Sequence, residues 1–567
     1  MANYYNDNRK FYFEKTELQD IVSKLENNFQ DNGSEALHSY DEALKWYDMV
    51  LKNAGDICAN FIAPRAEAVD EQGPTYRTGI VEWAPETREN METLTRSGYM
   101  GGMLPRKYGG LNLPVTVNTI IVEMVSQADA SLMNLFGLQD IAVTINKFGS
   151  EEQKDRVLPK FCSGEVSGSM ALTEPDAGSD LQAVALRAIE KDGEWYLDGV
   201  KRFITNGSGE VSLVLARSEE GSKGGRGLSM FLYERYRDDN MIVRRIENKH
   251  GIHGSPTCEM QFNMAKAELV GRRKFGLIKY VMSLMNGARL AVSSQALGIA
   301  QAAYEEAVKY ANEREQFGKT IVHFPAVYQM LKKMQAEIET TRMLLYRTAL
   351  FVDYEDMYER KAGKGENVKA ELKYAAAMAD FLTPLAKFTA TEMANKVAYD
   401  AVQIHGGCGY MKDFPVERLA RDARITNIYE GTTQLQVVAA IGGVSTNVLE
   451  KEWEALRNLE VKNLDGEKEI ILGYVEQLQQ TANAVLELKN KDFYDYVANY
   501  LVEIASIIYR CALFLPVAEE YEGKRELFRY YMNESATRID YLMKEIRSLK
   551  DHYGESIADL KADFVIK

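Results

Sequence analysis

A carboxylate at position 430 lies in a local sequence that could place it at a reaction site. Glu430 is followed by Gly431, and then by two hydroxyls and an amide, Thr432, Thr433 and Gln434, within a segment whose other residues favour a helix. Glycine is costly inside a helix, so the pattern predicts a break where the backbone turns or approaches another group closely. Taken alone, the pattern slightly favours an exposed Glu in a turn between two helices.

Two segments further upstream combine hydroxyls, an aromatic ring and tight turns. Residues 173–180 read TEPDAGSD, and residues 201–207 read KRFITNG. A loop of the first kind can bind a planar polar ligand or a pyrophosphate through hydroxyls and backbone N–H groups. In the second segment, Phe203 and Thr205 would share a strand face, where they can stack on a ring and hydrogen-bond its edge. Alone, each segment is more typical of a surface turn or a core residue.

Two other motifs carry groups that suit phosphate. Residues 313–319 read EREQFGK, with Arg314 before and Lys319 after a glycine. Residues 402–410 read VQIHGGCGY, in which three glycines within four positions would expose backbone amides. Cationic side chains and exposed amides are groups that bind phosphate in proteins. Each motif is a weak signal alone, because helix ends often carry Arg and Gly.

The composition of the 567-residue chain is that of an ordinary globular protein, with 46% apolar and 27% charged residues. A net charge of -15 argues against a nucleic-acid surface. The five cysteines are scattered without a CxxC pair, and His250 and His253 lack a ligand cluster, so we expect reduced thiols and no metal site. The N-terminal residues have the character of neither a signal nor a transit peptide, and no apolar run reaches about 18 residues. We therefore expect a cytoplasmic protein with no membrane contact.

Hydrophobic periodicity predicts the elements that must position these residues. Short β-prone runs around Asp198-Gly199 predict a hairpin, and several strands at close spacing predict a small β barrel or sandwich. The long amphipathic segments that follow predict an antiparallel bundle, with helices near 275–315, 323–356, 365–398 and 415–443. An apolar stretch from Ile504 to Leu515 predicts a buried helix that ends at Pro516. The predicted domains are an N-terminal extension (1–54), an N-terminal α domain (55–160), a β domain (161–271), a C-terminal helical bundle (272–445) and an extra helical domain (446–567).

The order and spacing of five motifs resemble the acyl-CoA dehydrogenase family. They are the four motifs above and RDARITNIYEGTTQLQ at residues 421–436. The resemblance covers about residues 55–445, and the last motif is the most specific. It implies a fold that is mainly α with a central β domain: an N-terminal α domain, a β barrel or sandwich and a C-terminal four-helix bundle, with FAD between the last two. It also implies a homodimer or a dimer of dimers, because FAD in the family contacts the neighbouring subunit.

The resemblance assigns roles to individual residues. Glu430 falls on the catalytic base of the family, and Phe203 falls where many relatives have Trp beside the flavin. The residues expected to bind the subunit's own FAD are Thr173, Ser179, Phe203, Thr205, Thr432 and Gln434. Those expected to bind the partner subunit's FAD are Arg314, Gln316, Phe317, Gln403 and Gly407. The residues expected to contact the substrate are Ser179, Asn286, Arg289, Tyr429 and Gly431.

The activity that the resemblance implies is dehydrogenation of an acyl-CoA. In the family, the base removes an α-proton whose acidity is raised by hydrogen bonds to the thioester carbonyl. A hydride leaves the β-carbon for flavin N5, which gives a trans-2-enoyl-CoA, and electrons pass to electron-transfer flavoprotein. Two alternatives share the fold: an acyl-CoA oxidase that uses O2, and a non-catalytic DNA-binding flavoprotein. The acidic net charge opposes the second alternative, because DNA binding depends on neutralising phosphates.

The chain is longer than most family members, with about 45 additional residues at the front and about 120 at the end. The front end and the segment KHGIHGSPTC at residues 249–258 resemble the long branch typified by 3-methylmercaptopropionyl-CoA dehydrogenase. The sequence EGTTQLQ at 430–436 is instead closer to the shorter enzymes. The identity of the acyl group therefore stays open, and the tail is expected to form a helical domain over the bundle.

Overall fold

The computed structural model describes residues 2–31, 33, 36–554 and 557 of the chain. Helices predominate, and a seven-stranded sheet lies in the middle of the sequence, which confirms the predicted fold class. The chain divides into two compact units: Met1–Ala302 with Lys412–Thr426, and Ala303–Met411 with Asn427–Lys567. The predicted extension, α domain and β domain fall in the first unit and the extra helical domain in the second, whereas the predicted bundle is divided between them. Within the extra domain, residues 555–556 and 558–567 lie outside the described part of the chain.

The first unit begins with helices and a short antiparallel ribbon. The elements are α1 (Asp7–Glu14), α2 (Gln19–Leu25), α3 (Tyr40–Ile57), α4 (Ala66–Gln72), β1 (Thr75–Arg77), β2 (Ile80–Glu82), α5 (Pro85–Arg96), α6 (Val115–Ala128), α7 (Ala130–Phe136), α8 (Asp140–Phe148) and α9 (Glu151–Cys162). The N-terminal extension is integral to this unit. Arg9 of α1 is fully buried, with Nε 2.9 Å from Glu123 Oε1 and Nη2 2.6 Å from Gln127 Oε1, both on α6. Because unpaired buried charge is costly, these bonds tie α1 to α6.

The central strands close into a barrel, which is one of the two β architectures that the sequence predicted. The strands are β3 (Gly168–Ala171), β4 (Arg187–Lys191), β5 (Glu194–Thr205), β6 (Val211–Arg217), β7 (Leu228–Glu234), β8 (Met241–Ile246) and β9 (Thr257–Leu269). The pairs β6–β4, β4–β5, β5–β9, β9–β7 and β7–β6 form a ring, to which β3 and β8 add at β6 and β9. Closure leaves fewer sheet edges and encloses apolar side chains that include Leu197, Val214 and Phe231.

The hairpin predicted at Asp198-Gly199 is wrong. The tight turn lies six residues earlier, where Asp192 has φ 53° and Gly193 has φ 80° between β4 and β5. This two-residue turn with positive φ at both positions matches the twist of antiparallel strands. Strand β5 runs straight through Asp198-Gly199 with a local irregularity in its pairing to β9. Both Asp-Gly pairs carry the same local signal, so only the pairing partners of β5 distinguish them.

The remaining elements are mostly long helices. They are α10 (Met282–Glu313), β10 (Glu315–Gln316), β11 (Lys319–Thr320), α11 (Pro325–Gly363), α12 (Lys369–His405), α13 (Pro415–Thr426), α14 (Thr433–Ser445), α15 (Glu450–Asn458), α16 (Asp465–Glu487), α17 (Lys491–Glu520) and α18 (Glu522–Tyr553). The helix predicted at 415–443 is thus two helices, α13 and α14, separated by the segment that contains Glu430. In the second unit, α12 packs on α11 and α14, and α17 packs on α11, α14, α16 and α18.

Helix α17 is long and apolar enough to cross a membrane, but 72% of its most apolar 18-residue stretch is buried within the protein. This burial is typical of a core helix. The predicted end at Pro516 is wrong, because α17 continues to Glu520. Phe514, Leu515 and Ala518 are all buried around the proline, so tertiary packing outweighs the hydrogen bond that proline removes.

Candidate active site

A buried ion pair holds the first predicted loop against strand β5. Lys201 is fully buried, and its Nζ lies 2.8 Å from Glu174 Oε1 and 2.7 Å from the carbonyl oxygen of Leu172. Burial lowers the pKa of Lys201 to about 8, and the carboxylate of Glu174 opposes this shift. The backbone N–H of Arg202 also donates to the carbonyl of Thr173, at 2.9 Å. The loop that carries Thr173 and the strand that carries Phe203 and Thr205 are therefore fixed side by side.

Phe203 lies in a strained and exposed position on β5. Its φ is 60°, a left-handed value that is rare for aromatic residues, and its pairing with β9 is interrupted between Lys201 and Ile204. The side chain is 51% exposed, whereas Ile204 beside it is buried. Strain of this kind persists only where the surrounding structure imposes it, and it clusters at ligand sites. The irregular strand replaces the regular alternation that the sequence predicted for Phe203 and Thr205.

Helix α10 presents a cation in the first unit. Arg289 is 8% exposed, and its Nη1 donates to Oδ1 of Asn286, one turn earlier on the helix, at 3.2 Å. A largely buried guanidinium is suited to hydrogen-bond an anionic or carbonyl group of a ligand. These are the two residues on this helix that the sequence assigned to the substrate.

The segment HGIH contacts helix α13, which leads to Glu430. The backbone N–H of Ile252 donates to Oδ1 of Asp422 at 2.5 Å, and an added Cβ on Gly251 would lie 2.6 Å from the carbonyl carbon of Arg421. Arg421 Nη2 also lies 2.6 Å from Asp70 Oδ2. Burial raises the pKa of the Asp422 carboxyl to about 6. The glycine in this motif therefore permits close packing of α13 within the first unit.

Glu430 itself lies in a left-handed turn between α13 and α14. Its φ is 53° and that of Gly431 is 90°. A left-handed conformation costs little for glycine but is strained for glutamate. The backbone break predicted here is present, and the Glu430 side chain and Tyr429 are half-buried.

Side chains from α12 and α14 hold this turn, and the sequence did not predict them. Lys387 Nζ lies 2.6 Å from the carbonyl oxygen of Gly431, and Gln436 Nε2 lies 2.8 Å from the same oxygen. Both side chains are fully buried. The sequence signal that could have pointed to Lys387 is its place as a lone lysine in a run of small and apolar residues of α12, between Ala386 and Phe388.

The residues after the turn begin helix α14. Thr432 is the N-cap, and its hydroxyl accepts from the N–H of Leu435 at 3.4 Å. Gln434, in the first turn, is exposed. The positive end of the helix dipole thus lies beside Thr432 and Gln434, two of the residues that the resemblance assigned to the subunit's own FAD.

A third group of predicted residues lies on the surface of the second unit. Phe317 is 93% exposed at the tip of the β10–β11 hairpin, with φ 53° followed by Gly318 at φ 81°. Tyr310 of α10 and His405 of α12 stack with ring centroids 4.2 Å apart, which brings together the ends of these two helices. The residues expected to contact a partner's FAD are all exposed: Arg314, Gln316, Phe317, Gln403 and Gly407.

The predicted site residues are divided between the units. Thr173, the exposed Ser179, Phe203, Thr205, Asn286 and Arg289 belong to the first unit, and Tyr429, Glu430, Gly431, Thr432 and Gln434 belong to the second. The division falls at Thr426–Asn427, at the end of α13.

Three family models match the chain in sequence order. The N-terminal domain of acyl-CoA dehydrogenase matches residues 47–165, the middle domain matches residues 169–265 and the C-terminal domain matches residues 278–440. The chain belongs to the acyl-CoA dehydrogenase family. It is therefore an oxidoreductase of that family, and acyl-CoA dehydrogenases use FAD.

Relatives with specific names are similar over most of the chain. It is 34% identical to 3-methylmercaptopropionyl-CoA dehydrogenase of Ruegeria pomeroyi over 75% of each protein. It is 34% identical to an acyl-CoA dehydrogenase of Bacillus subtilis, over 68% of this chain and 95% of that one. It is 32% identical to 3-(aryl)acrylate reductase of Clostridium sporogenes, over 69% of this chain and 96% of that one.

Solved structures share the fold. Butyryl-CoA dehydrogenase of Megasphaera elsdenii is 33% identical with a TM-score of 0.59, over 70% of this chain and 97% of that one. An acyl-CoA dehydrogenase of Bacillus anthracis complexed with FAD is 24% identical with a TM-score of 0.76, over 92% of this chain and 91% of that one. The second match covers more of the chain than the family models do, so part of the fold outside residues 47–440 is shared as well.

The residues of this chain fit FAD. An exposed aromatic ring on a strained strand, with hydroxyls on the same strand and on the adjoining loop, suits a planar ring with a polar edge. The N-terminus of α14 suits a phosphate or an adenine-side oxygen. The buried pair Lys201–Glu174 keeps the aromatic ring and the hydroxyls of this loop and strand in place.

We expect Lys201→Met to weaken both folding and FAD binding. The substitution leaves the Glu174 carboxylate buried without its cation, which costs about 3–5 kcal/mol of unfolding free energy. Denaturant unfolding and the FAD content of purified protein measure the two effects. Lys191→Met, an exposed lysine on the adjacent strand β4, is the control and should change neither. Full FAD content in Lys201→Met would show that the ion pair does not position the loop.

Proposed function

We propose that this protein oxidises an acyl-CoA thioester to the trans-2-enoyl-CoA, with Glu430 as the base that removes the α-proton. The observation that carries this proposal is the strained left-handed turn at Glu430 and Gly431, in the family motif and held by buried side chains. A carboxylate that is fixed at a turn can be aimed at one C–H bond, which is how position contributes to proton transfer.

The residues of this chain have separate roles in the reaction. The carboxylate of Glu430 accepts the α-proton, and the backbone N–H of the same residue polarises the thioester carbonyl. Arg289 and Asn286 on α10 hold a polar group of the acyl-CoA. FAD, when bound, supplies the acceptor for the hydride that leaves the β-carbon. Phe203 and the hydroxyls of Thr173 and Thr205 orient that acceptor.

Glu430→Gln should retain FAD and lose activity, because the amide has the shape of the carboxylate but cannot accept the proton. Anaerobic mixing with acyl-CoAs that differ in length, branching, aromatic groups and methylthio groups first identifies a substrate that bleaches the flavin of the wild type. With that substrate, the bleaching rate of Glu430→Gln should fall at least about 100-fold. Glu454→Gln, an exposed glutamate on α15, is the matched control. A near wild-type rate in Glu430→Gln contradicts the proposed role.

We also propose that the electrons pass to electron-transfer flavoprotein and not to O2. The chain is 33% identical, with a TM-score of 0.59, to a chain in a structure of the electron transferring flavoprotein of Acidaminococcus fermentans, over 72% of this chain and 98% of that one. This similarity supports electron-transfer flavoprotein as the electron acceptor.

Stopped-flow reoxidation of the product-bound reduced enzyme tests the electron acceptor. We expect electron-transfer flavoprotein to restore the flavin absorbance at about 10 s⁻¹, a typical turnover rate, and aerated buffer to restore it far more slowly. The matching control is electron-transfer flavoprotein added to the oxidised enzyme, which should give no change. Fast reoxidation in air would identify an oxidase.

The exposed hairpin supports a homodimer or a dimer of dimers in which each subunit contacts the partner's FAD. An apolar ring as exposed as that of Phe317 is typical of an interaction surface when polar and cationic groups surround it. Arg314, Gln316 and Lys319 are the polar neighbours on the same hairpin segment.

Phe317→Asn should reduce assembly and FAD retention without unfolding the subunit. Asn-Gly is the preferred pair in a two-residue turn with positive φ, so the substitution keeps the backbone and removes only the ring. Light scattering measures the mass, and absorbance after gel filtration measures retained FAD. Tyr541→Gln, an exposed aromatic on α18, is the control. Unchanged mass and FAD content in Phe317→Asn contradict a role of this ring at a subunit interface.

A further inference from the structure

Lys387 is an unusual residue for the middle of a core helix. It lies in α12 and is fully buried, so its ammonium has lost its hydration. Its Nζ donates to the carbonyl oxygen of Gly431 at 2.6 Å, a short charge-assisted bond. Burying an ammonium is costly, and a shorter apolar side chain would fill a helix core at less cost. The position of this lysine therefore requires an explanation beyond packing.

The bond from Lys387 is made to the peptide unit that follows Gly431, one residue beyond Glu430. The same carbonyl accepts a second bond, from Nε2 of the buried Gln436 at 2.8 Å, and this nitrogen also lies 3.3 Å from the carbonyl oxygen of Glu430. Two side chains from two helices thus hold the two carbonyls of the turn. An added Cβ on Gly431 would lie 2.7 Å from Gln436 Nε2, so the close approach also requires glycine there.

A different set of bonds closes the ends of the turn. The N–H of Thr433 donates to the carbonyl of Asn427 at 3.1 Å, and Asn427 Nδ2 donates to Glu392 Oε1 at 3.0 Å. These bonds fix where the loop begins and ends. Lys387 and Gln436 contact the Gly431 carbonyl, in the middle of the loop, directly.

The backbone conformation of residues 430 and 431 determines where the Glu430 carboxylate points. Glu430 has φ 53° and Gly431 has φ 90°, and a non-glycine residue relaxes from such a conformation unless other groups hold it. Relaxation would turn both the carboxylate and the backbone N–H of Glu430. An error of about 1 Å in such a group can cost about 100-fold in rate.

We infer that Lys387 is a positioning residue for the base: its buried ammonium holds the Gly431 carbonyl and so keeps Glu430 in the left-handed conformation that faces the substrate. Gln436 assists through the same carbonyl. This inference rests on the proposed role of Glu430. It assigns to Lys387 no contact with substrate or cofactor.

The test compares two substitutions. Lys387→Met keeps the length and the apolar stem but removes the charge and the donor, whereas Lys387→Arg retains both. For Lys387→Met we expect flavin bleaching at saturating acyl-CoA to slow by about 100-fold, with a half-saturating concentration within about threefold of wild type and full FAD content. Lys387→Arg should recover at least about tenfold of that loss. Hydrogen exchange of the FAD-bound enzyme should increase at the amides of residues 428–434 and not in α11.

Lys524→Met is the control for a general loss of stability. It removes another lysine of the second unit, whose Nζ pairs with Glu339 of α11. We expect a lower unfolding temperature with unchanged bleaching and unchanged exchange at 428–434. If Lys387→Met does not fold, Gln436→Met carries the test through the same carbonyl, with the same direction of change and a smaller size.

The outcomes separate this inference from the proposed function. Wild-type bleaching that is absent, or that persists in Glu430→Gln, refutes the proposed function. Normal bleaching in wild type, loss in Glu430→Gln and a near wild-type rate in Lys387→Met refute the role of Lys387 alone. The role is also refuted if exchange at 428–434 is unchanged, or if Lys387→Met loses FAD and stability in proportion to its rate, as a purely structural residue would.

Discussion

The carbonyl of Gly431 accepts hydrogen bonds from two buried side chains, Lys387 and Gln436, and these bonds hold the turn that carries Glu430, the proposed base. Glutamate is strained in the left-handed region, because its Cβ is crowded there. The strain at Glu430 is modest, on the order of 1–3 kcal/mol, and a charge-assisted bond can balance a cost of that size. Helices α12 and α14 bring the two donors to one oxygen atom, and the two helices pack on each other in the second unit.

The first unit also contains a buried lysine that donates to a backbone carbonyl. Lys201, also fully buried, joins the carboxylate of Glu174 and the carbonyl of Leu172, and so fixes the loop and the strand that present Thr173, Phe203 and Thr205. The low pKa of Lys201, about 8, reflects how strongly burial disfavours its charge. In both units, a buried lysine stabilises an irregular backbone segment that regular secondary structure cannot hold. Irregular segments are where an enzyme can expose a strained side chain to a ligand.

The extra C-terminal helices are attached to α11 by buried or half-buried ion pairs. Arg510 of α17 lies 2.6 Å from Glu337, and Arg347 of α11 lies 2.9 Å from Glu452, which also accepts from Tyr509. Such pairs need well-defined geometry, since a buried charge without its partner is destabilising. The extension is therefore a packed part of the second unit that braces α11, one of the two helices on which α12 rests.

The sequence by itself determined the fold class, the order of the motifs and the break at Glu430, because these depend on local composition, periodicity and the cost of glycine in a helix. Only the tertiary structure decided which of the Asp-Gly pairs at 192–193 and 198–199 turns the chain, since both satisfy the same local rule and only the pairing of β5 with β9 distinguishes them. It likewise decided that α17 passes through Pro516, because buried neighbours outweigh a lost hydrogen bond. The contact of Lys387 with Gly431 joins residues 44 positions apart, and no local pattern predicts which carbonyl a buried ammonium will reach.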